Sequence, residues 1–406
     1  MLIGAYSQIP HGASPQTFKR VVDCALKPIL THLYQKPWLR IHLSLSGALL
    51  ECLENNYPEI NMLIVDLVKK EQLEFLTGGY YQPVLHTLPA KERSLQIEKM
   101  TTIMRKRYGR RARILWCYNQ IWTPALINTM HMCSLDAVVL SPYECITGQV
   151  GPTEPFRMQE LGKFVTVLPS NDGVATVVQQ FAAGTLDSES LIDGVRTSLT
   201  ENPQAFAMLN IDQLCQGAAQ SAPWDDEQVW KVFEMAFSLF PEKGTGIVQT
   251  NELYSDAFEK AIASPLGYVA SGWYGRDASP GTLHSFNEVL LDGNRLDYLH
   301  GRILALSEIV RMYRKNRDIR KYVETLLEKA VSCGGYVHDA AGGPFVGGHR
   351  KYCYHYVSAA EQQLMKQQDF SFPWQQDVDC DGNDEYLGTG KDLSGVLHVH
   401  GGCLRE

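Results

Sequence analysis

The sequence predicts an α/β fold: an incomplete (β/α)7-type barrel, followed by a small helical domain and a short β tail. Three observations predict it. Seven short runs in the first two thirds of the chain are almost continuously apolar, as parallel strands covered on both faces require. Stretches with helical spacing of apolar residues separate them, which is the βαβ signature of a parallel sheet or barrel. Beyond about Ser255 the strands stop and long helical patterns take over.

The expected strands are Leu2 to Tyr6, Leu39 to Ser46, Gln72 to Gly78, Arg113 to Tyr118, Ala137 to Leu140, Phe164 to Leu168 and Ala205 to Ile211. Gly246 to Thr250 is a candidate eighth. Between them Pro15 to Leu33, Pro58 to Lys70 and Lys91 to Arg107 have the 3.6-residue period of helices packed on one face. Further on, Leu283 to Tyr313, Asp318 to Val331 and Tyr354 to Lys366 read as helices. The glycine pairs Gly334-Gly335, Gly342-Gly343 and Gly347-Gly348 mark a loop among them. From Asp377 the chain turns β-like, in Glu385-Tyr386-Leu387 and Val396 to Val399, with too few strands expected to make a sheet. The 406 residues thus divide into a barrel over 1–255, a helical domain over 256–370 that closes one side of a pocket, and the truncated start of a β domain over 371–406. A barrel of roughly 250 residues fits that first segment.

A net charge of −8 argues against nucleic acid as a partner. The basic run Arg105-Lys106-Arg107-Arg110-Arg111-Arg113 reads as a helix end carrying cations where the helix dipole favours them. No segment approaches the roughly 20 apolar residues of a membrane span, and the first residues read as a strand rather than a signal peptide. The ten cysteines are scattered with no C-x-x-C pair, which suits free thiols in a reducing compartment and a cytoplasmic location. Asp377-x-Asp379-x-Asp381-Gly382 matches half of a calcium loop, but Gly388 stands where a bidentate Glu belongs, so an Asp-rich turn is the reading. His338, His349, His355, His398 and His400 lack ligand spacing. Neither a metal nor a cofactor is expected.

The most informative segment is Trp116-Cys117-Tyr118-Asn119-Gln120-Ile121-Trp122-Thr123-Pro124. It follows an expected strand and precedes a helical stretch. Two tryptophans flanking a polar pair at a strand's C-terminal end suit a sugar site in a βα-barrel. Trp116, Trp122 and Trp273 can each stack on a pyranose face or fill the core. Asp212, after the apolar run ending at Ile211, can serve such a site or cap the next helix.

Several motifs occur in the same order as in a known family. Ser44-x-Ser46-Gly47-x-Leu49-Leu50-Glu51 resembles its H-x-S-G-x-L-L-E segment, and Glu71-Gln72-Leu73-Glu74-Phe75 its G-Q-L-E-I block. Gly78-Gly79-Tyr80-Tyr81-Gln82-Pro83-Val84-Leu85 resembles G-G-F-Y-E-P-V-L, and the nonapeptide resembles W-L-T-E-R-V-W-x-P. Asp212 to Gly217 falls where the family has D-G-E-K-F-G. Asn294 to Arg302 resembles N-x-x-H-x-R, and Asp379 to Glu385 the entry to a C-terminal β domain. The chain therefore resembles glycoside hydrolase family 57, most nearly its 4-α-glucanotransferase and α-amylase type, over nearly its whole length.

That resemblance implies a retaining mechanism, which needs two carboxyl groups about 5–5.5 Å apart. It carries the acid/base onto Asp212, the nucleophile onto Asn119 and the arginine after it onto Gln120; the Glu of Y-E-P becomes Gln82. The H-x-H-Q-P element is not recognisable in Ala5 to Pro10. An amide cannot form a glycosyl ester in the usual way, so the resemblance implies an α-glucan or oligosaccharide pocket with impaired or absent glycosidase chemistry. Gln82, Asn119 and Gln120 can still hydrogen-bond sugar hydroxyls, with Trp116, Trp122 and Trp273 as platforms. Two rivals follow. One is an active 4-α-glucanotransferase or α-amylase whose second carboxylate is Glu144, Asp172 or Glu74. The other is a scaffold protein, homo-oligomeric through a β tail whose strand Val396 to Val399 lacks neighbours.

Overall fold

The computed structural model describes residues 2–141, 155–182, 184–202, 205–216, 226–238, 268–270, 283–286, 290, 296–336, 347–367, 374–378, 382–389 and 394–399. Two compact units divide the chain: Met1–Ser285 with His338–Ala341, and Phe286–Val337 with Gly342–Glu406.

All seven expected strands form in the first unit. They are β1 (Leu2–Ser7), β2 (Ile41–Leu45), β3 (Leu73–Thr77), β4 (Ile114–Trp116), β5 (Ala137–Leu140), β7 (Lys163–Pro169) and β8 (Phe206–Asn210). An eighth, β6 (Phe156–Glu160), pairs antiparallel with β7 as a hairpin. The candidate strand Gly246 to Thr250 lies outside the described residues. The sheet runs β6-β7-β5-β4-β3-β2-β1-β8, and apart from β6 every pairing is parallel. A parallel bridge between Ser170 and Phe206 joins β7 to β8 and closes the seven parallel strands into a (β/α)7 barrel.

Inward-facing residues of six of the seven strands fill the barrel: Tyr6, Leu76, Ile114, Trp116, Ala137, Val139, Leu168, Phe206 and Met208 form one buried cluster. Outward-facing residues pack on helices, so most of each strand is buried on both faces and its run is largely apolar. The helices are α1 (Pro15–Val21) and α2 (Lys27–Gln35), joined by a π turn at Val22–Leu26, then α3 (Gly47–Asn56), α4 (Pro58–Lys69), α5 (Ala90–Tyr108), α6 (Leu126–Met132), α7 (Asp172–Ala182), α8 (Ser188–Glu201), α9 (Ile211–Gln216) and α10 (Asp226–Ser238).

Local chemistry sets these boundaries. Ser14 caps α1 through Thr17 N, with Pro15 in the first turn, and Ser46 caps α3 by accepting from Leu49 N at 3.0 Å. Gly47 at that helix start is required sterically, because a Cβ there would collide with the Tyr80 carbonyl oxygen. Gln72 explains its motif: its buried Nε2 donates to the carbonyls of Leu33, Lys36 and Leu39, closing the end of α2. The basic run is, in part, the last turn of α5, where Arg105, Lys106 and Arg107 lie.

One expectation needs correcting here. Leu283 to Ser285, read as the start of a helix, is a strand (β10) pairing antiparallel with β9 (Tyr268–Ala270). Its three residues are too few for a period to distinguish helix from strand.

The second unit contains α11 (Leu296–Met312), α12 (Arg317–Ala330) and α13 (Gly347–Met365). It also holds an antiparallel sheet of β11 (Trp374–Gln376), β12 (Glu385–Thr389) and β13 (Ser394–Leu397). The tail therefore does make a sheet. The strand expected to lack neighbours pairs with β12, and Val396 is buried against Leu387, Val378 and Tyr298. Gly382 N donates to Asp377 Oδ2, the bond of an Asp-rich turn; Asp379 and Asp381 lie outside the described residues. No described helix is long and apolar enough to cross a membrane. Among the described residues no group of three or more His, Cys, Asp or Glu side chains is placed to hold a metal ion.

Candidate functional site

Parallel strands present their C-terminal ends on one face, where the segments after them build the site of a barrel. Asp212 lies there, in the first turn of α9 after β8. It does not cap its helix, because Asn210 Oδ1 already accepts from Asp212 N at 3.0 Å and Gln213 N at 3.1 Å. The carboxylate turns instead to the end of the neighbouring strand β1. Oδ1 accepts from Ser7 Oγ at 2.7 Å and Oδ2 from the Gln8 backbone N–H at 2.5 Å. Asp212 is 4% exposed, and burial pushes its carboxyl up to about 6, against the two hydrogen bonds that favour the anion. Among the described residues no Lys, Arg or His forms an ion pair with it.

Gln82 lies in the turn after β3, left-handed at φ 53°, a conformation uncommon outside glycine. Neighbouring elements hold that turn. Tyr80 N donates to Gln96 O, Tyr81 N to Gln96 Oε1, Tyr80 OH to Glu51 Oε1 and Lys99 Nζ to Tyr81 OH. The Gln82 Oε1 is buried and has no hydrogen-bond partner among the described residues. Trp116, at the end of β4, points into the barrel against Tyr6, with ring centroids 4.5 Å apart, and its buried Nε1 also has no partner among the described residues. Gln8 Oε1, after β1, is a third such atom.

Asn119 is the middle residue of a one-turn 3-10 helix, Tyr118–Gln120; its side chain lies outside the described residues. Gln120 is left-handed at φ 55°. Its amide ties strand ends together: Oε1 accepts from Ser141 N at 2.7 Å, and Nε2 donates to Cys117 O at 3.2 Å. Trp122 is wholly buried in the cluster between the outer faces of β4, β5 and β7 and helices α5 and α6, with Nε1 on the Met158 sulfur at 3.3 Å. Trp273 lies outside the described residues. The structure thus brings Asp212, Gln82 and Trp116 to one barrel face and uses Gln120 and Trp122 for packing and strand ties.

Of the three substitute carboxylates, Glu74 is the second residue of β3 and so lies at the opposite, N-terminal end of the barrel. Burial raises its carboxyl to about 7. Asp172 begins α7 on the same face as Asp212, half-buried, and accepts from Ser170 Oγ at 3.0 Å. Glu144 lies outside the described residues.

Sequence reasoning missed Ser7, Gln8 and Asn210. The signal was positional: Ser7 and Asn210 close parallel strands and Gln8 directly follows one, at the barrel end where such segments build the site.

Residues 7–174 match the model of Glycosyl hydrolase family 57. A 4-α-glucanotransferase of Thermococcus litoralis is 22% identical over 434 aligned residues, covering 100% of this chain and 63% of that protein. The chain therefore spans a little under two thirds of that relative's length. An α-amylase of Pyrococcus horikoshii is 29% identical over 174 residues, 42% of this chain and 27% of that enzyme. The crystal structure of the T. litoralis enzyme has a TM-score of 0.78 at 20% identity, covering 100% of this chain and 65% of its own. A branching enzyme of Thermococcus kodakaraensis scores 0.61 at 11% identity, over 89% of this chain and 90% of that one. The likeness in structure is one of fold, and the sequence match to Glycosyl hydrolase family 57 runs from the end of β1 into α7.

Proposed function

We propose that this chain binds an α-glucan or oligosaccharide at the C-terminal face of its barrel and is impaired or inactive as a retaining glycosidase. The carrying observation is a trio of buried polar atoms with no hydrogen-bond partner among the described residues, Gln8 Oε1, Gln82 Oε1 and Trp116 Nε1, at the face that holds Asp212. Each desolvated and unpaired atom costs about 1–3 kcal/mol. Three such atoms gathered on one barrel face are what a ligand would satisfy. Two acceptors and one donor suit neutral hydroxyl groups. The names of the matched relatives, a 4-α-glucanotransferase and an α-amylase, support the same ligand class.

The chemistry follows from the residue types. Asp212 is a buried acid poised near neutral pH, which suits a proton donor or acceptor. The motif resemblance carries the nucleophile onto Asn119, and a neutral amide does not carry a glycosyl intermediate. Calorimetric titration with maltooligosaccharides, on the chain and on Asp212→Ala, tests the reading. Binding with no product by chromatography is the expected result. Absence of binding sinks the pocket, and turnover by the unaltered chain sinks the impairment.

Asp172 sustains the rival of an active enzyme, because it is a described carboxylate at the same barrel face. That rival requires Asp172→Asn to abolish turnover. The exposed Leu397 and Val399 near outer strand β13 bear on the oligomer reading, which light scattering of a chain lacking residues 377–406 tests.

A further inference from the structure

We infer that Ser7 is a positioning residue for Asp212, holding the carboxyl in both of its protonation states and directing the proton to Oδ1. The inference rests on the proposed function only in taking Asp212 to face the ligand. Its ground is the asymmetry of two bonds from one strand end: Ser7 Oγ to Oδ1 at 2.7 Å and Gln8 N–H to Oδ2 at 2.5 Å.

A backbone N–H can only donate. Whatever the charge on Asp212, Oδ2 must stay an acceptor for Gln8, so it is the carbonyl oxygen of the neutral acid. A proton then belongs on Oδ1. There it meets a hydroxyl, which both donates and accepts. With Asp212 ionised, Ser7 O–H donates to Oδ1. With Asp212 protonated, the Ser7 hydroxyl turns and accepts from Oδ1–H. No hydrogen bond is lost in either state, although Ser7 is 1% and Asp212 4% exposed, so that water cannot substitute. When Oδ1 loses its proton, Asp212 is left as the anion. The Ser7 hydroxyl then turns back to donate to Oδ1, where the charge appears.

Other groups do not set this titration. The charged side chains on the elements packed around Asp212 are Lys19, Arg20, Asp23, Asp172, Lys231 and Glu234 among the described residues, with Tyr6, Cys24 and Cys215 as the uncharged titratable ones. None contributes to the shift, which has burial, Ser7 and Gln8 as its causes.

The test is the titration of the Asp212 carboxyl by carbon-detected NMR or difference infrared spectroscopy, in the unaltered chain, Ser7→Ala and Ser7→Thr. Hydrogen bonds to charged groups outweigh neutral ones. Ser7→Ala therefore raises the midpoint, shifting the acid-to-anion ratio at fixed pH by about tenfold toward the acid, for on the order of 1.4 kcal/mol. Ser7→Thr keeps the hydroxyl and restores the original midpoint. A merely structural serine would change stability while leaving the midpoint in place, and that outcome overturns the proposal. So does a threonine variant that titrates like alanine. Titration with maltooligosaccharides separates the two readings: if the midpoint moves as stated while no sugar binds, the Ser7 assignment stands and the proposed function falls.

Discussion

Replacing Asp212 by Asn should stabilise this protein, and by an amount that depends on pH. The side chain is buried, meets no described cation, and titrates near 6 where an exposed aspartate titrates near 3.8. Between those values the folded chain holds a proton that the unfolded chain has released. Folding stability is therefore highest below 3.8, falls as pH rises toward 6, and stays at the lower level above it. The loss spans about 2 pH units at about 1.36 kcal/mol each, so the ionised carboxylate costs about 3 kcal/mol at neutral pH. Asparagine reproduces the neutral acid, with its oxygen accepting from Gln8 N–H and its amide donating to Ser7 Oγ. Asp212→Asn should thus gain up to about 3 kcal/mol at pH 8, a rise in Tm of roughly 6–12 °C for a unit of this size. The gain should shrink as pH falls through 6 and vanish near 3.8. Thermal melts of both proteins from pH 4 to 8 measure it. A variant no more stable at pH 8, or a difference that does not change with pH, refutes the account. Under the proposed function that cost falls on the acid of the site, the usual conflict between stability and function.

Three further outcomes follow from other parts of the molecule. His42 is fully buried inside the barrel and held near 4 by desolvation, so below its unfolded value of about 6.5 only the unfolded chain takes up a proton. Stability should fall by about 3 kcal/mol as pH drops from 6.5 to 4, and a His42→Leu variant should lose that slope in urea titrations. In the second unit Arg302 and Glu361 form a bidentate pair, with contacts of 2.8 and 2.8 Å from one guanidinium nitrogen and 3.1 Å from Nε, at side-chain exposures of 4% and 1%. Glu361→Ala should cost about 3–5 kcal/mol by stranding the guanidinium, whereas Arg302→Met with Glu361→Leu should recover most of it; a double variant as unstable as the single one contradicts this. Gly301→Ala would place a Cβ against the Val378 carbonyl oxygen, which is backbone and cannot rotate away, so a loss of about 1–3 kcal/mol is expected from the urea midpoint.

The barrel was legible because burial on both faces leaves a strand little choice of residue. Ala137–Leu140 and Phe206–Asn210 contain no charged side chain, and each appears within one residue of its expected bounds. What escaped was structure whose pattern is weaker. β6 reads Phe-Arg-Met-Gln-Glu, apolar only at alternate positions, and its turn at Leu161-Gly162 needs left-handed backbone at both residues. Leucine gives no hint of such a turn. The tail sheet escaped for a different reason. β11, β12 and β13 hold three to five residues each, and only Leu387 and Val396 of their apolar side chains join the buried cluster with Val378 and Tyr298.

The site was legible in its residue types more than in its partnerships. Gln82, Trp116 and Asp212 stand out by type and position, but nothing local separates Gln82, whose oxygen has no partner, from Gln120, whose amide spans Cys117 and Ser141. Both are left-handed glutamines after a strand. The difference lies in what β5 brings beside one of them, which is a property of the closed barrel. The same holds for Asp212. Its hydroxyl partner is 205 residues away in sequence and becomes adjacent only because β8, the last parallel strand, pairs with β1, the first. Closure therefore does more than remove sheet edges. It delivers two donors from the start of the chain to an acid near the end of the barrel, through a stretch, Tyr6-Ser7-Gln8, that matches no recognisable motif. A donor pair built from one backbone N–H and one hydroxyl tolerates change in the surrounding sequence as long as the strand keeps its register. If β1 slipped by a single residue against β8, Ser7 would turn to the barrel interior and Asp212 would lose both donors.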